Sequence, residues 1–172
     1  MIVLSGLIGA FIGACVGLFF NIWKFHRDER SARCDELCAA LTAGAVVSAE
    51  YWASAYDDTP TQRVQEARIY GAQALIDGLF DDLRIVIAED DAELIDVALS
   101  DVFDKFSGGQ FSVKGRSPDP GRVAGSTQAA SLAIVEIRRS HRRTFPLKAL
   151  ISAYHDSKRR KLDMPTNWPE GA

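Results

Sequence analysis

Three features are scarce or missing in this chain, and each scarcity excludes a class of protein. The three cysteines are too few, and too irregularly placed, for a disulfide scaffold. Only three histidines occur, and none stands at the E-x-x-H spacing that metal sites in helical bundles use. No glycine-rich loop ends in the Gly-Lys-Ser/Thr of a phosphate-binding loop. The sequence therefore predicts no catalytic residues, no cofactor and no metal, and we expect a protein that is not an enzyme.

A metal or redox site is the alternative interpretation of the cysteines near the N-terminus. Cys34 and Cys38 lie one helical turn apart, and His26 lies two turns upstream of Cys34. These residues could supply three ligands, whereas a closed zinc site needs four, and no second pair of ligands follows. We therefore expect Cys34 and Cys38 to be small buried apolar groups in a reducing compartment.

Charge is absent from residues 2–23, which read IVLSGLIGAFIGACVGLFFNIW. At about 1.5 Å per residue such a helix spans about 33 Å, and the hydrocarbon core of a bilayer is about 30 Å thick. No basic residue precedes the run, which argues against a cleaved signal peptide. The run predicts a single transmembrane helix over residues 2–23, surrounded by membrane lipid.

The charges beside this run predict its orientation. Lys24, Arg27, Arg30 and Arg33 follow it directly, and nothing basic precedes it. Positive charge is enriched on the cytoplasmic side of membrane helices. The pattern predicts a single-pass protein of a bacterial inner membrane, with its N-terminus outside and its C-terminal domain in the cytoplasm.

Small residues recur every four positions within the same run. Ser5, Gly9, Gly13 and Gly17 form one ridge, and Asn21 continues it. Such a ridge allows another helix to approach closely, although glycine is also common in membrane helices for other reasons. It predicts a helix–helix interface, formed within a homo-oligomer or with a membrane-protein partner.

The rest of the chain is expected to be all-α. Residues 24–162 predict an antiparallel bundle of about four helices that continues from the membrane helix, and residues 163–172 predict a flexible tail. Thr59 and Pro60 are suited to begin the second helix. The four glycines and two prolines of residues 107–121 predict a loop, within which residues 110–114 could form a short strand.

Apolar residues at steps of three and four predict which faces enter the core. In the second helix the expected core stripe is Val64, Ala67, Gly71, Leu75, Leu79, Leu83 and Val86, widened by Ile76, Phe80 and Ile87. In the third helix it is Ala92, Ile95, Leu99, Val102 and Phe106. In the fourth it is Ala130, Ile134, Ile137, His141 and Phe145.

The net charge of −3 hides two strongly charged stretches. Residues 57–104 hold thirteen acids and three bases, a balance of −10, and residues 138–161 hold nine bases and one acid, a balance of +8. The basic stretch either pairs with the acidic helices, which we favour, or binds an anionic lipid, an acidic protein or, less favoured, a nucleic acid. Its candidate contact residues are Arg138, Arg139, Arg142, Arg143, Lys158, Arg159, Arg160 and Lys161.

These patterns lead to one functional hypothesis and one alternative, and an enzyme whose site assembles only in the folded chain is a third, less favoured hypothesis. The hypothesis is a membrane-anchored, non-enzymatic interaction or scaffold protein. It would self-associate through its membrane helix and present its helical bundle to a protein partner. The alternative is nucleic-acid or anionic-lipid binding at the membrane by the basic fourth helix.

Overall fold

The structure is a computed structural model that describes residues 2–143, and the side chains of residues 11–143. It contains four helices: α1 (Ile2–Trp52), α2 (Pro60–Arg84), α3 (Glu89–Ser107) and α4 (Pro120–Arg143). Within this part of the chain there is no β-strand, only one antiparallel bridge between Tyr56 and Arg116. The prediction of an all-α bundle is confirmed.

The prediction of a short strand over residues 110–114, between α3 and α4, is wrong. Residues 108–119 form turns and bends instead. Gly109 and Ser112 have φ angles of 65° and 60°, and a left-handed residue turns the chain away from an extended path. The β-branched and aromatic residues of this segment therefore do not align as a strand.

The start of α2 follows the predicted capping pattern. The Thr59 hydroxyl accepts a hydrogen bond from the Gln62 backbone N–H at 3.3 Å, and the Gln62 side-chain oxygen accepts one from the Thr59 N–H at 3.2 Å. This reciprocal pair satisfies two backbone donors that a helix N-terminus leaves without partners. Pro60, at the first helical position, has no N–H to satisfy.

The helix α1 organises the bundle, because it packs along both α2 and α4, while α3 packs chiefly against α4. Its residues from Cys34 to Trp52 supply a large part of the core. The predicted stripe of α3 is confirmed, since all five of its residues are buried. In α4, Ala130 and Ile137 are buried, and Phe145 lies outside the described residues.

The predicted stripe of α2 is wrong in its first half. Val64 and Leu75 are 54% and 55% exposed, and the buried row contains Ile69, which was not predicted, together with the predicted Ile76, Phe80 and Leu83. Helix α2 carries two apolar rows, and only the row with Ile69 faces α1. Spacing alone could not show which of the two rows enters the core.

The prediction of a transmembrane helix is also wrong. Among the described residues, no helix has a stretch both long and apolar enough to span a bilayer. The described apolar side chains run from Phe11 to Trp23, which at about 1.5 Å per residue covers about 20 Å, and Lys24 and Arg27 follow. The predicted inner-membrane location, and the orientation inferred from the flanking charges, depended on this helix and are therefore also wrong.

Candidate interaction surfaces

The N-terminal part of α1 extends beyond the bundle with its apolar side chains exposed. We call residues 11–25 the apolar arm. Phe11 and Phe19 are 70% and 74% exposed, and most other large apolar side chains of the arm are at least half exposed. On the side away from Gly13, Gly17 and Asn21, these side chains cover about 220° of the helix circumference. They are Phe11, Ile12, Val16, Leu18, Phe19, Phe20, Ile22 and Phe25.

The predicted ridge of small residues falls partly on this arm. A Cβ atom built at Gly13 or Gly17 would meet no other atom within 4 Å. Asn21 is exposed, whereas Ser5 and Gly9 lie outside residues 11–143, for which burial is described. The packing of the described chain therefore gives no reason for glycine at positions 13 and 17.

The basic end of α4 is partly neutralised by carboxylates within the chain. The Arg143 guanidinium lies 2.7 Å from the carboxylate of Asp91, which is buried at the start of α3. Arg139 pairs with Glu136, one turn earlier on α4. Pairing with the acidic helices, the favoured interpretation of the basic stretch, thus accounts within the described residues for Arg143 among the four arginines in α4, whereas Arg139 pairs within α4 itself. Lys158, Arg159, Arg160 and Lys161 lie outside the described residues.

The other two arginines line a groove between α1 and α4. Arg138 and Arg142 make no ion pair with any residue in the described range, and they border a cavity of about 280 Å³. The other lining residues are Ser31, Cys34, Asp35 and His141. The groove therefore brings the Cys34 thiol and the adjacent Asp35 carboxylate together with the imidazole of His141, which is far away in the sequence.

This combination resembles the components of a nucleophilic site, but the thiol has the wrong protonation behaviour. Burial, and to a smaller extent the neighbouring Cys38, raise the pKa of Cys34 to about 11. A catalytic cysteine needs the opposite shift, because the thiolate is the nucleophile. Burial also raises the pKa of Cys38. Both thiols behave as small apolar core groups.

The described residues do not gather ligands for a metal ion. Nowhere in residues 11–143 do three or more His, Cys, Asp or Glu side chains lie close enough to share one. Of the three ligands considered from the sequence, Cys34 and Cys38 are buried, whereas His26 is exposed and lies 4.0 Å from Glu29. The structure does not bring His26 together with the two cysteines.

At the opposite end of the bundle, the connection between α3 and α4 is anchored by a buried arginine. Arg116 is 5% exposed, and its guanidinium lies 4.3 Å from the ring centre of Trp52 and 4.9 Å from that of Tyr51. It donates hydrogen bonds to the backbone oxygens of Tyr51 and Ser54, at 3.2 and 3.3 Å. The guanidinium thus satisfies carbonyl groups at the C-terminal end of α1.

A second set of hydrogen bonds fixes the same connection to α2. The Tyr51 hydroxyl donates to the Glu66 carboxylate at 3.0 Å, and the Ser112 hydroxyl donates to the same oxygen at 2.6 Å. Burial raises the pKa of the Tyr51 hydroxyl above its ordinary value. The long loop expected from the sequence is therefore an ordered part of the bundle. No signal in the sequence marked Arg116 or Glu66 as its anchors.

Beside this anchor lies a shallow apolar groove of about 670 Å³ between the end of α1 and the start of α4. Two prolines of the loop form one wall, and the exposed side of α4 forms the other. Its lining residues are Ala53, Pro118, Pro120, Val123, Ala124, Thr127, Gln128 and Ser131. The groove has the apolar character of a binding surface but no charged lining residue that could orient a reacting group.

Neither a known protein family nor a curated protein nor a solved structure matches this chain. Any functional conclusion must therefore come from the surfaces themselves.

Proposed function

We propose that this chain is a non-enzymatic interaction protein whose copies associate through the apolar arm of α1, while the bundle presents a surface to a protein partner. The observation that carries the proposal is the exposure of the arm, residues 11–25. Large apolar side chains exposed over so much of a helix surface are normally covered, because that surface is unfavourable in water.

A second copy is the occupant that best matches the arm. Gly13 and Gly17 lie on one line of the helix, with open space where a Cβ would stand. Glycine lowers helix stability, and its usual benefit is the close approach of another backbone. Two arms that meet along this line bring their own glycines together and cover Phe20, which lies beside the ridge. Each copy supplies the same surface, as a symmetric pair requires.

The bundle offers the second part of the proposal. The apolar groove beside Pro118 and Pro120 is held open by an ordered loop, because Arg116 and Glu66 fix that loop to α1 and α2. A rigid apolar groove suits a protein segment, since little ordering is required when it binds. The raised pKa of Cys34 supports a non-enzymatic role for the other groove.

Cysteine cross-linking tests the arm directly, because Cys15 is exposed whereas Cys34 and Cys38 are buried. At about 100° per residue, Cys15 lies about 180° from the centre of the glycine ridge, and Phe20 lies about 40° from it. Phe20→Cys in a Cys15→Ser background is expected to form disulfide-linked dimers on mild oxidation. The native Cys15 is the matched control and is expected to cross-link far more slowly.

Gly13→Leu should abolish the cross-link at position 20, since the leucine side chain separates the helices without a clash inside its own chain. Equal cross-linking through the native Cys15 and through the Phe20→Cys variant would indicate unspecific clustering and contradict the proposed ridge. Cross-links to a different protein alone would also contradict self-association.

A further inference from the structure

The outer face of α2 is a second apolar surface that nothing in the described chain covers. Val64 and Leu75 are more than half exposed, and Ala67, Gly71 and Gly78 are exposed beside them. At 3.6 residues per turn, these five residues lie within about 40° of one line along the helix. That line is opposite to the buried row of α2, so the helix is apolar on two opposite faces.

The glycines on this face have no role in the packing of their own chain. A Cβ at Gly71 or at Gly78 would meet no atom within 4 Å. Glycine in a helix interior is less favourable than alanine, so Gly71 and Gly78 lower the stability of α2. The described packing of the chain shows no contact that offsets this loss. A second helix that packs closely on this face would use both of them.

The charges beside the apolar row indicate which kind of helix packs on this face. Arg63 and Arg68 flank its N-terminal half, and Asp81 and Asp82 flank its C-terminal half. From helical geometry, Arg68 and Asp82 lie to one side of the line, and Arg63 and Asp81 lie about 80° to the other side. Within the described chain, Arg68, Asp81 and Asp82 make no ion pair through their side chains, while Arg63 contacts Asp58 at 2.7 Å.

We propose that a second copy of this chain packs antiparallel on this face, α2 against α2, about a twofold axis near residue 73. A twofold axis that reverses the helix keeps each flank on its own side. It therefore places Arg68 beside Asp82 of the other copy, and Arg63 beside Asp81 of the other copy. Because the charge pattern matches its own reverse, a symmetric partner fits it better than an unrelated helix does.

This inference does not rest on the proposed function, because the α2 face and the apolar arm are separate surfaces. Together they would join copies through two different contacts. Each contact can be broken without disturbing the other, since Gly13 lies on the arm and Asp82 lies on the bundle.

The test uses the full chain in a Cys15→Ser background, with one new cysteine at a time. Ala74→Cys lies about one residue from the proposed axis, so two copies would place these thiols close together. Ser100→Cys, exposed on α3, is the matched control. On mild oxidation, Ala74→Cys is expected to form a disulfide dimer at least about tenfold faster than Ser100→Cys, which lies outside the contact.

Charge reversal then tests the arrangement of the pair. Either Arg68→Asp or Asp82→Arg should slow the cross-link at position 74 about tenfold, because each places like charges together across the axis. The double variant Arg68→Asp/Asp82→Arg restores opposite charges and should restore the rate. Circular dichroism confirms that each variant keeps its helices, and both reversals lie at exposed positions.

Two results would overturn the inference: equal rates for Ala74→Cys and Ser100→Cys, or a folded double variant that stays as slow as the single ones. The cross-link at position 20 of the arm serves as a separate readout. If Phe20→Cys forms no cross-link in a chain that retains Gly13, while Ala74→Cys does form one, the result counts against the proposed function alone. A cross-link at position 20 without one at position 74 counts against the α2 pair alone.

Discussion

Replacement of Arg116 by alanine should destabilise the bundle more than any other single change in the loop between α3 and α4. Arg116 is buried, stacks on Trp52 and Tyr51, and donates to two carbonyl oxygens at the end of α1. Alanine at this position removes all of these contacts at once. It also leaves both carbonyl groups without this donor in a largely buried place.

The size of the effect follows from these contacts. A hydrogen bond from a charged group contributes roughly 1.5 to 3 kcal/mol, and a partly desolvated cation–π contact contributes up to about 2 kcal/mol. Against this gain stands the cost of burying the guanidinium, which is several kcal/mol in the folded wild type. The expected net loss in the free energy of unfolding for Arg116→Ala is about 3 kcal/mol.

The assay is urea unfolding followed by far-ultraviolet circular dichroism, at one fixed protein concentration because association also stabilises the fold. Arg116→Lys is the matched control. It retains the charge but lacks the planar fork that stacks and donates in two directions, so it should lose about half as much. A loss below about 1 kcal/mol for Arg116→Ala, or a lysine variant as stable as wild type, would refute this account of the anchor.

Three further predictions concern the other end of the bundle. Because burial raises the pKa of Cys34 from 9.0 to about 11, the unfolded chain loses this proton first. The free energy of unfolding should therefore fall by about 2 kcal/mol between pH 9 and pH 11 relative to Cys34→Ala, and parallel pH profiles would contradict this. A double-mutant cycle of Asp91→Asn and Arg143→Gln should give a coupling of about 1 kcal/mol, and a coupling of zero would show that the 2.7 Å contact contributes nothing. If the alternative of an anionic partner holds, Arg138→Gln/Arg142→Gln should weaken binding of a polyanion and lower its salt dependence, whereas Arg139→Gln should not.

How far the sequence predicted this fold depends on the element. The stripe of α3 was predicted correctly because Ala92, Ile95, Leu99, Val102 and Phe106 form its longest apolar row, whereas the opposite face carries Leu94 and Val97 among acids and other polar residues. In α2 there are two apolar rows, and periodicity cannot rank them. The start of α2 was predicted correctly from Thr59 and Pro60, because the preferences for an N-cap and a first helical residue are local.

The anchors of the loop between α3 and α4, and the groove between α1 and α4 that contains Cys34 and His141, could not be predicted, for a different physical reason. Arg116 and Trp52, like Cys34 and His141, are far apart in the sequence and meet only through the packing of α1 with the elements that follow it. Composition suggested a long, irregular loop, but its order comes from these long-range contacts. In the same way, the pairing of Arg143 with Asp91 becomes evident only when α3 lies beside α4.

Copies of this chain are proposed to associate through the apolar arm. Sedimentation equilibrium of the full chain tests it most directly, with Gly13→Leu as the disrupting variant and Ala43→Leu, at an exposed position of α1 within the bundle, as the matched control. Wild type and Ala43→Leu should have an average molar mass above the 18.9 kDa of a single chain, and Gly13→Leu should lower it. A wild-type protein at the mass of one chain, or a Gly13→Leu variant with unchanged mass, would contradict the claim.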